Sequence, residues 1–383
     1  MTEAKDMIVG YATDASVRKK GACGGLVTAV LASAVENGLV DGALVLKHIN
    51  EFEAVPVITN NIDEIFASAG SLHSVPINMA KYAQGKKVAI TVKPCDARAV
   101  IEQAKRHEIN LDDIYMIGLN CGGSMHPVTT KKMLVKMYDI DPDDVVGEEI
   151  DKGKLIFETK DGNEKAIPIH DLEDAGFGRR ETCRSCTIKI PINADIACGN
   201  WGVIGELAGS ATFCEVMSEK GAKIIDNAVE AGKIEIQPAN DKGVMIREKV
   251  HGAMVKLGNK WEDKIFKEVP FEEKLNFYKD ALKDCIDCGA CKEVCPSCTC
   301  GELSKCTMFH SRVNNYELNM YHLTRFLHLT DSCIGCGQCT DVCPSDIPIA
   351  TIQQTFSIPS QKKRNYVPGM TMERPPFLEV KIK

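Results

Sequence analysis

Eight cysteines toward the C-terminal end of the chain fall in two identical runs. Cys285, Cys288, Cys291 and Cys295 precede Pro296, and Cys333, Cys336, Cys339 and Cys343 precede Pro344. Each run reads C-x2-C-x2-C-x3-C-P, a ligand spacing for [4Fe–4S] clusters. Three thiolates so close in sequence wrap one face of a cubane, and the backbone carries the fourth to the other cluster. The proline after it stops a regular helix there. Cross-ligation assigns Cys285, Cys288, Cys291 and Cys343 to one cluster, and Cys333, Cys336, Cys339 and Cys295 to the other. Paired CxxC knuckles also make four-cysteine zinc sites. A knuckle needs only two cysteines, however, and here four lie within eleven residues, twice. Two iron–sulfur clusters are the favoured reading, with zinc and disulfides as competitors. The chemistry is electron transfer.

Four further cysteines are placed for a third [4Fe–4S] cluster. Cys95 follows the apolar run 87–92 and Cys121 follows the apolar run 114–119. Cys183 and Cys186 form a CxxC beside Arg179, Arg180 and Arg184. Ligands gathered from the C-terminal ends of adjacent strands plus one loop are typical of α/β sites. A redox-active CxxC pair, a zinc site and buried thiols are the alternatives, and Cys198 is an alternative fourth ligand. Cys298, Cys300 and Cys306 are expected to pack around the clusters, or one of them to replace a ligand.

A Gly-rich turn, Lys19-Lys20-Gly21-Ala22-Cys23-Gly24-Gly25, opens a helical pattern at Leu26. Glycines there let backbone N–H groups approach a phosphate, which the helix dipole favours. Arg18, Lys19 and Lys20 strengthen that reading against an ordinary turn. Ser68-Ala69-Gly70-Ser71, with His73, offers a second small-residue loop. Trp201 could stack on a flat cofactor or sit in the core, and Arg179-Arg180 could pair with phosphate or carboxylate or be solvated. The histidines are scattered, and neither a Ser-His-Asp nor an H-E-x-x-H grouping is evident.

These groups need elements to hold them. Residues 1–120 alternate strand and helix, with strands at 7–12, 42–46, 54–58, 87–92 and 114–119 and helices at 26–34 and 97–106. That is an α/β pattern with an at least partly parallel sheet. Asp161-Gly162-Asn163 sits between two strand-like runs as a hairpin turn. Residues 210–231 read as a helix, 233–237 as a strand, and the chain after 244 as long and helical, as do residues 311–329. The expected organisation is an α/β domain at 1–245, a helix-rich two-cluster domain at 246–358 and an extended arm at 359–383.

Eighteen cysteines in 383 residues, with no apolar leader in MTEAKDMIVGYA, imply thiolates kept for metals in a reducing, cytoplasmic compartment. No apolar run reaches the ~18–20 residues that span a bilayer. A net charge of −7 argues against a nucleic-acid partner.

CGGLVTAVL (23–31), SAGSLHS (68–74), TVKPCDAR (91–98), GLNCGG (118–123) and CRSCTIKIPINADIACGNWG (183–202), in that order, resemble the beta-subunit family of F420-reducing hydrogenase. The resemblance covers essentially the whole chain. Hydrogenase beta subunits lack the appended two-cluster domain, so the chain looks closer to the formate dehydrogenase branch. The resemblance implies an α/β flavin-binding domain followed by a ferredoxin domain, three [4Fe–4S] clusters, FAD, and coenzyme F420 as substrate docking on the flavin. By motif, FAD falls on Gly24, Gly25, Thr28, Ser68, Gly70, Ser71 and Lys93, and the first domain's cluster on Cys95, Cys121, Cys183 and Cys186. Lys19, Lys20, Arg179 and Arg180 are candidates for the acidic tail of the deazaflavin, and no residue need be a general base. CGNW (198–201) departs from the hydrogenase pattern, which keeps a role for Cys198 open. The implied partner is a molybdopterin or tungstopterin subunit that oxidises formate, since this chain has no pterin-binding bulk. A hydrogenase subunit, an F420-oxidising input subunit, delivery to a heterodisulfide reductase, and a flavin-free ferredoxin-like relay are the rival readings.

Overall fold

A computed structural model describes residues 1–267, 270–300 and 315–376. Its strands are β1 (Met7–Ala12), β2 (Gly42–Asn50), β3 (Glu53–Thr59), β4 (Val88–Val92), β5 (Ile114–Leu119), β6 (Val145–Asp151), β7 (Lys154–Thr159), β8 (Glu164–Pro168), β9 (Ile196–Gly199), β10 (Thr212–Val216) and β11 (Ile234–Pro238). Eight of them form one sheet in the order β11-β1-β10-β9-β5-β4-β2-β3, and β6-β7-β8 form a second. Pairing is parallel between β2 and β4, β4 and β5, and β5 and β9. The outer pairs are antiparallel.

VAITV in β4 and IYMIGL in β5 are apolar without alternation because both faces of the central sheet are covered. Side chains alternate across the pleat. Ala43, Val45, Ala89 and Ile117 join one core with the helix Leu26–Glu36. Leu44, Val88, Ile90, Ile114 and Met116 join another with the helix Pro94–Ala104. The C-terminal ends of β2, β4, β5 and β9 therefore open at the same edge, where open α/β sheets bind ligands. The second sheet builds its own core on Met133, Leu134, Tyr138 and Phe157, and its β7–β8 turn has Gly162 at φ +79°.

The cysteine-rich unit packs the helices Lys274–Leu282, Asn315–His328 and Ile349–Lys363 around Leu282, Phe326, Ile347 and Ile352. Its two cysteine runs share a backbone form. Asp287 and Gly289 flank Cys288 at φ +57° and +74°, and Gly335 and Gly337 flank Cys336 at +70° and +82°.

One expectation is corrected, and two expected boundaries fall inside helices. The region 210–231 is not one helix: TFCEV pairs as β10 between β1 and β9, and the helix is Glu219–Glu230. Cross-strand partners decide this segment, not local propensity. The boundary at 245/246 falls inside the helix Asp241–Lys267, which belongs to both parts. The arm expected from Pro359 begins later, because the helix Ile349–Lys363 continues through that proline. Beyond it, buried Tyr366 and Pro368 fold back onto the helix Pro94–Ala104. Among the described residues no helix is long and apolar enough to cross a membrane.

Candidate electron-transfer site

A cavity of about 2330 Å³ lies at the open edge of the parallel strands. A single drug-sized ligand occupies about 300–1,000 Å³, so the space suits more than one such molecule. Gly25, Thr28, Ser68, Gly70, Ser71 and Lys93 all line it. Gly25 is the N-cap of the helix Leu26–Glu36 at φ +69° with no side-chain cap, so the helix's first N–H groups are left to a ligand. That local geometry fits a phosphate-bearing cofactor. Gly24 differs from its neighbours: it does not line the cavity, and a β-carbon on it would stand 2.2 Å from the Ser210 carbonyl oxygen.

Lys93 stands between the cavity and the first-domain cysteines. Its Nζ meets Asp96 at 2.8 Å and donates to the Ile77 carbonyl at 2.9 Å. Burial opposes its charge, but Asp96 and Cys95 more than offset that and its pKa is raised. Cys121 shares the cavity wall and is coupled electrostatically to Cys95 and Cys183. Burial pushes the Cys121 thiol up to about 11 and Cys95 well above its usual value. Cys183 is lowered instead: burial raises it, but the Arg180 guanidinium, 3.3 Å from its sulfur, together with hydrogen bonding from Ser124 and the charge of Lys189 outweighs burial. Cys186 faces Arg98, which also faces Cys95 and Cys333.

In the cysteine-rich unit the thiols sort into two sets. Cys295, Cys333, Cys336 and Cys339 line one small cavity. Cys343 adds to the rise of the Cys285 and Cys291 thiols, and Cys288 and, across the two sets, Cys295 add to that of Cys291. Between the sets lies Arg325, 3% exposed, facing Cys291, Cys295 and Cys339. Its Nη2 donates to the Cys291 carbonyl at 2.7 Å, while Nε and Nη1 are buried without a hydrogen-bond partner among the described residues. A buried, half-satisfied guanidinium is costly unless negative charge stands beside it, so this environment fits anionic iron–sulfur clusters.

Comparison with known proteins bears on the same residues. Residues 7–83 and 85–242 match the N- and C-terminal models of the coenzyme F420 hydrogenase/dehydrogenase beta subunit, and residues 284–347 match a 4Fe-4S dicluster domain. The F420-dependent formate dehydrogenase 1 subunit beta of Methanococcus maripaludis is 43% identical, over 98% of this chain and 98% of its own. The F420-dependent formate dehydrogenase subunit beta of Methanocaldococcus jannaschii is 41% identical, over 96% and 98%. The chain belongs to the coenzyme F420 hydrogenase/dehydrogenase beta-subunit family. A chain of the F420-reducing [NiFe] hydrogenase complex from Methanosarcina barkeri shares the fold, with a TM-score of 0.58 and 21% identity over 70% of this chain and 95% of that one.

Within this family frame, several candidate residues have other duties. Arg179 is buried, pairs with Glu173 at 2.6 Å and donates to the Gly122 carbonyl at 3.0 Å. Arg180 is buried against Asp341. Arg179 lines the cavity with Lys19 and Lys20, but its guanidinium is held by Glu173, and Arg180 does not line it. Buried Cys198 stands opposite Cys214 across β9 and β10, and it also lines the large cavity. Trp201 walls the cavity instead of joining the core. Cys298 is buried beside Cys295 and Cys300, Cys300 is exposed, and Cys306 lies outside the described residues.

Other wall residues were not legible in the motifs. Ile246, Val250, Met254 and Leu257 present one apolar face of the helix Asp241–Lys267, and their helical spacing is the signal that could have found them. Glu148 on β6 accepts from Ser74 N and Oγ, each at 2.7 Å, and burial pushes it up to about 7. His73 beside it is pushed down to about 4 by burial.

Proposed function

We propose that this chain is the electron-transferring beta subunit of an F420-dependent formate dehydrogenase. Electrons from formate, oxidised on a partner pterin subunit, would reach coenzyme F420 as hydride by way of three [4Fe–4S] clusters and FAD in a cytoplasmic complex. When bound, the clusters supply one-electron steps and the flavin supplies the exchange between single electrons and a hydride. The observation that carries this reading is continuity. Cysteine sets follow one another from exposed Cys288, through the Cys295/Cys333/Cys336/Cys339 cavity, to Cys121 on the wall of the large cavity.

The chain's own groups have positioning duties. The uncapped N–H groups after Gly25 would hold a cofactor phosphate, and Ser68, Gly70 and Ser71 would border it. Lys93 places a half-buried positive charge between the large cavity and Cys95. The apolar face of the helix Asp241–Lys267 would keep water from the reacting faces. Lys19 and Lys20 at the rim suit an acidic tail. The first-domain cluster is assigned to Cys95, Cys121, Cys183 and Cys186, and the other two to the cross-ligated sets. The functional units are the cavity-bearing part, which takes in the helix Asp241–Lys267 on the cavity wall, and the two-cluster part that follows it.

The test is cofactor content of the anaerobically purified chain, with F420 reduction by dithionite as the assay. About twelve iron, one FAD and F420 turnover are expected. About eight iron, no flavin and no turnover would reduce the protein to a ferredoxin-like relay.

A further inference from the structure

Arg180 is the last residue before the short helix Glu181–Arg184, yet its side chain reaches into the cysteine-rich unit. Nη1 donates to the Cys336 carbonyl at 3.1 Å and to the Asp341 carboxylate, and Nη2 to the Ser124 hydroxyl at 3.0 Å and the Cys183 sulfur at 3.3 Å. One guanidinium thus touches a thiol of the first-domain set and the backbone of the second run. The approach is close because residue 337 is glycine. A β-carbon there would stand 2.5 Å from Thr182 Oγ1 and 2.9 Å from Arg180 Nη1. On the same junction Arg98 donates to the Ile334 carbonyl at 3.0 Å, from between Cys95, Cys186 and Cys333.

We propose that Arg180 is a positioning residue for inter-cluster electron transfer: it fixes the first-domain cluster against the Cys333/Cys336/Cys339 cluster and raises the reduction potentials of both. This rests on the three-cluster reading above. A guanidinium is planar, permanently charged and able to bond several acceptors at once, which a lysine cannot reproduce. Cluster potentials respond to nearby charge and to hydrogen bonds on the sulfurs. A positive charge and an N–H donor at Cys183 favour the reduced, more negative cluster. Asp341 opposes that by offsetting part of the guanidinium charge. The pair sets a value between two extremes, and its two members act with opposite sign. The geometry also orders the relay. Exposed Cys288 marks the set containing Cys285 as the outer one.

The experiment is an EPR-monitored redox titration of the full chain, purified anaerobically, with iron counted in each preparation. Arg180→Gln is expected to lower the potential of the first-domain cluster, and Asp341→Asn to raise it. Arg180→Lys is expected to fall between Arg180→Gln and the unmodified chain. The outer cluster should keep its potential in all three. Loosened packing would move both variants the same way, so shifts of one sign, or none, would overturn the inference even with about twelve iron present. Fewer than three clusters in the unmodified chain would overturn the three-cluster reading first, and this inference with it.

Discussion

Single residues carry the conditions for cofactor binding. Gly25 holds φ +69°, and a β-carbon on it would stand 2.5 Å from the Val17 carbonyl oxygen. Gly25→Val then costs about 1–3 kcal/mol of backbone strain and displaces the start of the helix Leu26–Glu36. Flavin content should fall sharply while iron content holds. Gly38 has the same φ but open space around its α-carbon, so Gly38→Ala strains the chain without touching the cavity and should keep its flavin. Equal flavin loss in both would mean strain alone, not the Gly25 contact, matters. Glu148 makes a second residue-scale case. Burial raises its folded pKa to about 7 from an ordinary 4.5, against the two bonds from Ser74 and with Glu51 adding to the rise. The folded state therefore binds this proton more tightly than the unfolded chain. The associated stability is present at low pH and is lost as pH rises from about 4.5 through about 7, by roughly 3 kcal/mol. Glu148→Gln should flatten the thermal midpoint between pH 5 and 8 and be the more stable protein above pH 7. An unchanged slope in the variant would sink the argument.

At the scale of elements, the helix Pro94–Ala104 joins the two halves of the molecule. Pro94 starts it, and Asp96 bonds back to the Lys93 backbone at 2.9 Å, so its position follows directly from the end of β4. Its outer face is polar yet buried, because the cysteine-rich unit and the returning tail cover it. Glu102 pairs with Lys105 at 2.7 Å and Arg106 at 2.6 Å, and Lys105 donates to Tyr366 Oη at 2.8 Å. Glu102→Ala leaves buried Lys105 without its counter-charge and should cost about 3–5 kcal/mol. The checks are a lowered thermal midpoint and faster proteolysis of the tail after Lys363; a midpoint equal to the unmodified chain would count against the helix as the joint. This helix was legible in the sequence, as were β1, β4 and β5, because an apolar run or a helical period speaks for itself. β10 was not, since its five residues become a strand only through partners in β1 and β9. The same limit applies to side chains. The CxxC spacing announces Cys183 and Cys186, but Arg180 is explained by Asp341, 161 positions away. Gly24 and Gly25 look equivalent in sequence, and only packing separates the one under Ser210 from the one facing the cavity.

Across the whole molecule, the cysteine sets differ in how far they are exposed. Cys288 is exposed, whereas Cys95, Cys121, Cys183 and Cys186 are half-buried, and Cys121 reaches the cavity wall. A large redox partner would meet the outer set first, while a small reductant such as dithionite is not confined to that route. These two reductants therefore separate the outer set from the inner ones. Cys288→Ser should lose about four of the twelve iron, retain flavin, and retain F420 reduction by dithionite. In complex with the formate-oxidising partner, the same variant should lose formate-driven F420 reduction. Cys121→Ser lies beside the cavity and should lose both activities. The partner assay must be done on the assembled complex, with co-purification showing that the subunits still associate. If Cys288→Ser abolished dithionite-driven turnover as thoroughly as Cys121→Ser, the outer set would not be a terminal station. If it kept formate-driven turnover, electrons would enter at one of the inner sets, and the exposed end of the cysteine-rich unit would need another role.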